Sequence, residues 1–232
     1  MNLRPHFIFF ISLFLLSTAL HAQKDSIAVD STRITNWGLR VGINLIPSVQ
    51  GWIDGDNSSY EAVVDYRIKK SIYLAAEFGI ENHYQTEDFF DYQTNGGFVK
   101  IGANYNAYKN WLDMNNEIYV GGRFAYSNFT QQVNRITDYN PGNYFPAYTY
   151  YPDQGKSDPL NAYWLEFVAG LKVETFKNVF LGMQVSFSKI VSETEPQGFE
   201  NLYVPGIGRT AVNNIGTYFS YTISYLIPFQ KK

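Results

Sequence analysis

The C-terminal end of the chain alternates between apolar and polar positions with a period of two. From Ile215 to Phe229, one row of alternate residues is apolar and aromatic, and the other row is smaller and more polar. A period of two is the pattern of a β-strand, in which successive side chains point to opposite faces. The run exceeds the roughly five or six residues of a soluble strand, and about 9–11 residues suffice for a tilted strand to cross a bilayer. This stretch therefore predicts a membrane-spanning final strand.

The same alternation recurs in seven earlier segments. They are Trp37–Ile46, Tyr60–Ile68, Ile72–Ile80, Phe98–Ala107, Glu117–Asn128, Ala162–Val173 and Val179–Ser188. Long polar connections are predicted after the first, third, fifth and seventh strands, at 47–59, 81–97, 129–161 and 189–214, and the other connections are shorter. Short turns at one end and long loops at the other are typical of barrels that span the outer membrane. The predicted fold is all-β, an eight-stranded antiparallel up-and-down transmembrane β-barrel with both termini on the periplasmic side.

A soluble eight-stranded barrel of the lipocalin type would carry the same alternation with its two faces exchanged. Periodicity alone does not decide which face is outside. The length of the strands favours a membrane barrel, as do aromatic residues near the ends of the apolar rows, such as Trp37, Phe78 and Tyr225. The polar rows are rich in glycine, which suits a crowded interior. We therefore predict that the apolar rows face lipid.

The N-terminus has the three parts of a secretory signal peptide. Arg4 precedes the uncharged apolar run Phe7–Leu16, and mostly small residues follow. Cleavage is predicted after Ala22, with cleavage after Ala19 as the alternative. The predicted organisation is a signal peptide at 1–22, a flexible periplasmic leader at 23–36 and the barrel at 37–232. Export followed by a barrel predicts a location in the outer membrane of a diderm bacterium.

The composition of the chain limits which partners it can bind and which interactions can stabilise it. The chain contains no cysteine, so it forms no disulfide and carries no lipidated cysteine. Beyond the signal there is no apolar run of the roughly 18 residues that a spanning helix needs. A net charge of −3 argues against a nucleic-acid partner. We expect no cofactor, and we expect stability to come from the protein's own core or from a membrane.

The polar rows, which we predict to face the lumen, carry charges of both signs. Eight strands enclose a lumen just wide enough for side chains, and buried charges must be paired. We predict a salt-bridged plug, with a narrow ion path or proton-linked gate as the alternative, which would make the protein a small-solute channel. The predicted network comprises Arg40, Asp65, Arg67, Glu77, Lys100, Arg123, Glu166 and Lys172, with further acids at Glu61, Glu117 and Glu174.

No catalytic constellation is visible in the sequence. His83 is the only histidine beyond the predicted signal peptide, and no serine neighbours it in sequence. A general base needs a positioned nucleophile and an orienting group, so we interpret His83 as a solvated loop residue and predict no catalytic residue. A lipid-modifying enzyme is the less favoured alternative. The acidic segment 54–61 offers oxygen ligands without the full calcium-loop spacing, so no metal site is predicted.

The third long loop combines tyrosine, asparagine, glycine and proline. Such a mixture supplies contact area and adaptable hydrogen bonds at binding surfaces. One interpretation is a docking surface for an extracellular protein or glycan, and the other is a loop that packs over the barrel mouth, with the fourth loop at 195–206 as its packing partner. The aromatic residues of this candidate surface are Tyr139, Tyr144, Phe145, Tyr148, Tyr150 and Tyr151.

Three segments carry a resemblance to a known group of proteins. They are AYWLEFVAG at 162–170, FENLYVPG at 199–206 and YTISYLIPF at 221–229. They resemble an uncharacterised family, a domain of unknown function, of exported bacterial outer-membrane β-barrel proteins, and the architecture is similar to small OmpA/OmpX-type barrels. The resemblance implies outer-membrane lipid and the barrel assembly machinery as partners, and it implies no catalytic residue. We expect an integral outer-membrane protein of unknown specific activity, non-enzymatic, with a structural or surface-binding function.

Overall fold

Antiparallel strands make up most of the chain in a computed structural model. The structure describes residues 36–47, 57–108, 115–138, 148–150, 157–196, 200–208 and 214–231. The predicted signal peptide and leader lie outside these residues, apart from Asn36. The strands are β1 (Asn36–Asn44), β2 (Ser58–Lys69), β3 (Ile72–Thr86), β4 (Phe90–Asn106), β5 (Glu117–Asp138), β6 (Tyr148–Tyr150), β7 (Leu160–Phe176), β8 (Val179–Glu193) and β9 (Ile215–Lys231).

The eight long strands close into a barrel. Each pairs antiparallel with its neighbours along the chain, except that β5 pairs directly with β7, and the short β6 adds to the far end of β5. The first and last strands complete the ring, because Leu39 lies opposite Tyr66 on β2 and opposite Ile227 on β9. This confirms the predicted eight-stranded antiparallel up-and-down barrel.

Apolar side chains cover the outside of the barrel and polar side chains fill the inside. On β7, Trp164 and Glu166 are buried, whereas Leu165 between them is 56% exposed. A lipocalin-type barrel would show the reverse distribution. The prediction that the apolar rows face outward in a transmembrane barrel is therefore confirmed.

We use the term belt for the part of the wall whose outward residues are mainly apolar. Its segments are 37–43, 60–68, 72–80, 97–105, 118–126, 163–173, 179–187 and 217–229. Most of these lengths match the roughly 9–11 residues that a tilted strand needs to cross the hydrocarbon layer. The strands project furthest beyond the belt on the side of the long connections, and we describe that side as above the belt.

The strands extend further above the belt than the sequence predicts. The predicted loop 81–97 is largely a hairpin, since β3 continues to Thr86 and β4 begins at Phe90. Likewise β5 continues to Asp138 and β8 to Glu193. Above the belt the outward face no longer needs apolar residues, so the period-two signal fades although the backbone hydrogen bonds continue.

The first strand ends two residues earlier than predicted. Residues 45–47 form a helical turn after Asn44. The Asn44 side-chain oxygen accepts hydrogen bonds from the backbone nitrogens of Ile46 at 3.3 Å and Tyr221 at 3.1 Å. This buried amide turns the chain away from the ladder and ties the turn to β9.

Among the described residues there is no α-helix with the length and hydrophobicity that a membrane-spanning helix requires.

The lumen and its closed mouth as candidate functional site

The half of the lumen nearer the short turns contains a cluster around Arg40. Its Nε donates to Asp65 Oδ1 at 2.8 Å, and its Nη2 donates to Glu117 Oε1 at 2.8 Å. Lys172 Nζ donates to the other oxygen of Asp65. The guanidinium also lies over the ring of Phe180, at 4.7 Å from its centroid. Because these side chains come from β1, β2, β5, β7 and β8, the cluster joins strands on opposite sides of the barrel.

A second cluster surrounds Lys100 nearer the other end. Lys100 is completely buried, with Nζ 3.3 Å from Glu166 Oε2 and 3.7 Å from Glu77 Oε2. Arg123 Nε lies 3.4 Å from Glu77 Oε1, which also accepts a hydrogen bond from Gln184 Nε2 at 3.3 Å. Charged pairs buried together offset part of the cost of removing each ion from water. The arrangement holds five strands in register.

The structure places all eight residues of the predicted network in the interior of the barrel. Seven of them form ion pairs with one another or with Glu117. Arg67 instead donates to the carbonyl oxygens of Lys69 and Lys70 in the β2–β3 turn. Glu174 is only half-buried and joins two turns, accepting from Asn115 Nδ2 at 2.7 Å and from the Asn178 backbone nitrogen at 2.9 Å.

The space left between these side chains is small. One cavity lies among Asp65, Glu77 and Lys172, and a second among Arg40, Arg67 and Glu117. Each has a volume of about 20 Å³, which is room for roughly one water molecule. The charged clusters therefore fill the lumen more than they line it.

Residues 200–208, which we call the mouth loop, close the opposite end of the barrel. Val204 and Ile207 are 1% and 2% exposed and join an apolar cluster inside the barrel wall. Gly206 has a φ of 87°, and a Cβ added there would lie 2.6 Å from the ring of Phe98. Only glycine fits both this backbone conformation and this close approach. The wall residues of the cluster are Phe98, Ala125, Phe129, Leu160, Ala162, Trp164 and Ile190.

Polar contacts anchor the mouth loop to the strands. Glu81, which lies just above the belt, accepts hydrogen bonds from Tyr203 Oη at 3.0 Å and from the Gly206 nitrogen at 3.4 Å. Gln131 Oε1 accepts from the Leu202 nitrogen at 2.9 Å. Burial raises the pKa of the Glu81 carboxyl, and burial together with Glu81 raises the pKa of the Tyr203 hydroxyl. Tyr203 therefore remains a protonated donor.

The prediction that His83 is a solvated loop residue is wrong. His83 belongs to β3 and is half-buried, because the hairpin extends above the belt. Its ring stacks on Tyr203 at 4.0 Å with an interplanar angle of 12°. A cavity of about 60 Å³ beside it is also lined by Ser58, Ser59 and Glu81. Sequence reasoning missed these serines because they lie on β2, distant in sequence and adjacent in the barrel.

The other predicted surface features fall mainly outside the described residues. Of the aromatic residues proposed for docking, Tyr139, Tyr144, Phe145 and Tyr151 lie outside them, and Tyr148 and Tyr150 are seen only as the backbone of β6. The acidic segment 54–61 is described from Asn57 onward. Within the described chain, no group of three His, Cys, Asp or Glu side chains is arranged to hold a metal ion. The docking surface stays a prediction.

Solved structures with a similar fold include small bacterial outer-membrane barrels. Ail, the attachment invasion locus protein of Yersinia pestis, is 9% identical with a TM-score of 0.41, over 83% of this chain and 100% of Ail. The N-terminal β-barrel domain of Pseudomonas aeruginosa OprF is 11% identical with a TM-score of 0.40, over 84% and 99%. Neisserial surface protein A is 12% identical with a TM-score of 0.42, over 82% and 94%. These low values concern the fold and carry no activity over to this chain.

At the level of sequence, no curated protein matches this chain. One family model does match, described as a domain of unknown function (DUF6048), over residues 4–232. The match covers nearly the whole length of the protein, in agreement with the resemblance of the segments at 162–170, 199–206 and 221–229. The chain belongs to the DUF6048 family.

Proposed function

We propose that this protein is a non-conducting, non-enzymatic barrel of the bacterial outer membrane, with a structural or surface-binding function. Its partners would be the lipids of that membrane, the barrel assembly machinery that inserts it, and an extracellular protein or glycan at its exposed end. The predicted signal peptide at 1–22 would direct export.

The observation that carries this proposal is the double closure of the lumen. The mouth loop packs Val204 and Ile207 into the apolar cluster at one end. Below it, the ion pairs of Lys100 and Arg40 cross the barrel and leave cavities of about 20 Å³. A solute would have to displace both layers. Removing one partner of a buried ion pair costs about 3–5 kcal/mol, which opposes opening.

Single-channel recording in planar bilayers tests the closure. We expect the purified wild-type protein to give no steady unitary current. A variant with residues 200–208 replaced by glycine and serine should also stay closed, because the ion-paired layer remains. Reproducible unitary currents from the wild-type protein would contradict the proposal and support a small-solute channel.

A second test concerns the enzyme alternative, since His83, Glu81 and two serines share one cavity. We expect replacement of His83 by alanine to leave the lipid composition of the outer membrane unchanged, with Tyr203→Phe as the control for a disturbed mouth. Loss of a lipid product in H83A, but not in Y203F, would show that the cavity is catalytic.

A further inference from the structure

In the rows of Asn82 and Tyr84, just above the belt, the outward face of β3, β4 and β5 consists of neutral polar side chains. The row above them carries the ion pair of Asp91 and Arg135. The ladder places Asn82 opposite Asn95, and Asn95 opposite Thr130. The next row upward aligns Tyr84, Gln93 and Gln132 in the same way. We call the outward side chains of Asn82, Gln93, Asn95, Asn128, Thr130 and Gln132 the amide face.

The amide face is continuous with the lipid-facing belt. At its lower edge, Ile80 pairs with Gly97, and Gly97 pairs with Asn128, the lowest member of the amide face. One step lower, the outward residues are Phe78, Val99 and Tyr126. Two residues along a strand span about 7 Å, so the surface changes from apolar to amide within that distance. The polar part of the outer lipid leaflet therefore lies against the amide face.

The six side chains include no cation, although they lie at the level of lipid head groups. Arg135, higher on the same sheet, is bound to Asp91 through Nε at 2.7 Å and Nη2 at 2.8 Å. Phosphate recognition in proteins relies on arginine and lysine. The amide face therefore does not suit the charged groups of a lipid. It suits uncharged hydroxyls.

Internal hydrogen bonds orient several of these amides. Gln93 Nε2 donates to Asn82 Oδ1 at 2.8 Å, and Asn128 Nδ2 donates to Asn161 Oδ1 at 2.8 Å. The side-chain amides of Asn95 and Gln132 make no hydrogen bond to any residue in the described part of the chain, and both are exposed. Each amide offers a donor and an acceptor side by side, which matches the paired hydroxyls of a sugar ring.

We propose that the amide face binds neutral sugar units of glycolipid in the outer leaflet through their hydroxyl groups. The inference deepens the proposed function and rests on its outer-membrane location. The amide face is continuous with the interface that the belt forms with lipid, so the sugars of the surrounding lipid reach it without a separate docking event.

The test uses core oligosaccharide from lipopolysaccharide, freed of fatty acids and phosphate, titrated into the folded barrel in detergent micelles. NMR of side-chain amide groups gives the affinity. The test variant is Asn95→Ala/Gln132→Ala. The control is Ser192→Ala/Thr194→Ala, at two exposed residues near the end of β8, two strands around the barrel from β5.

We expect the test variant to bind about thirtyfold more weakly, from the loss of two hydrogen bonds of about 1 kcal/mol each, and the control to bind like the wild type. Equal affinities in the wild type and the test variant, or binding only to oligosaccharide that retains its phosphates, would overturn the inference. So would the absence of binding in the wild type. A conducting barrel that still binds sugar would instead contradict only the proposed closure.

Discussion

The ring of Phe98 lies directly against Gly206, so that a Cβ at position 206 would come within 2.6 Å of it. This contact places the mouth loop against a strand of the opposite wall. Phe98 itself is 6% exposed, which leaves its ring little room to move. The mouth loop is therefore held by shape as well as by hydrogen bonds.

Replacing Gly206 by alanine should release the mouth loop. Gly208→Ala is a matched control, because Gly208 has a φ of 89° and a Cβ there would meet only Tyr203, at 4.0 Å. Both variants share the cost of a left-handed backbone, roughly 1–2 kcal/mol, but only G206A clashes with Phe98. Hydrogen exchange of residues 200–208 should be faster in G206A than in G208A. Equal exchange rates in G206A and G208A would show that the contact between Gly206 and Phe98 does not hold the mouth loop in place.

The contacts that hold the mouth loop against the strands should weaken as pH rises. Burial raises the pKa of Glu81 in the folded protein, so the folded state binds its proton more tightly than the unfolded state does. The stabilisation that protonated Glu81 gives to the folded state is therefore fully present below the ordinary pKa of a glutamate. It is progressively lost as pH rises through the higher pKa of Glu81 in the folded protein. Hydrogen exchange at Gly206, corrected for the intrinsic rate, should show more protection in acid than at neutral pH. Glu81→Gln should remove this dependence, and a dependence unchanged in E81Q would assign it to another group.

Breaking the lumen cluster around Lys100 should destabilise the barrel. Lys100→Met leaves Glu166 without its cation and should lower the free energy of unfolding by about 3 kcal/mol, as expected for a broken buried pair. Lys70→Met, in the exposed β2–β3 turn, is the control and should change it by less than about 0.5 kcal/mol. Urea unfolding in lipid vesicles, followed by tryptophan fluorescence, measures both. A K100M barrel as stable as the control would mean that the ion pairs contribute little.

The belt should tolerate charge poorly at its centre. Ile101 is 59% exposed midway along the belt segment of β4, and a lysine in the middle of the bilayer costs about 2–4 kcal/mol in such barrels. Ile101→Lys should therefore destabilise the protein in vesicles, whereas Asn95→Lys on the same face above the belt should be nearly neutral. Equal stability of the two variants would argue against a lipid-facing belt.

The alternation of residues such as those in 215–229 was sufficient to predict the number and order of the barrel strands, because a barrel wall separates two different environments. Which face lies outside followed from the strand lengths, the aromatic residues near the strand ends and the glycine-rich polar rows. Where the environments become alike, as around His83 and Gln93, the signal disappears and the strands were predicted too short. The interior position of Lys100 and Glu166 followed from the same alternation.

The position of the mouth loop inside the barrel could not be predicted from the sequence. Val204-Pro205-Gly206 is an apolar patch within a polar connection, and it signals that the segment packs against something. Its partners Phe98, Gln131 and Glu81 are between 71 and 125 residues away in sequence. Only the closed barrel brings them together. Similarly, the pairing of Asp65 with both Arg40 and Lys172 depends on strand register across the lumen, which local pattern does not specify.

Thiol labelling of intact cells tests most directly whether the barrel spans the outer membrane, because the sequence contains no cysteine and so gives no background labelling. Single-cysteine variants would replace Asn95 on the amide face, Ile101 in the belt and Lys70 in a short turn. A membrane-impermeant maleimide should label N95C on intact cells, leave I101C unlabelled, and label K70C only after the outer membrane is breached. Labelling of K70C but not of N95C on intact cells would show that the barrel has the opposite orientation in the membrane. Labelling of all three variants only after the outer membrane is breached would contradict a membrane-spanning barrel.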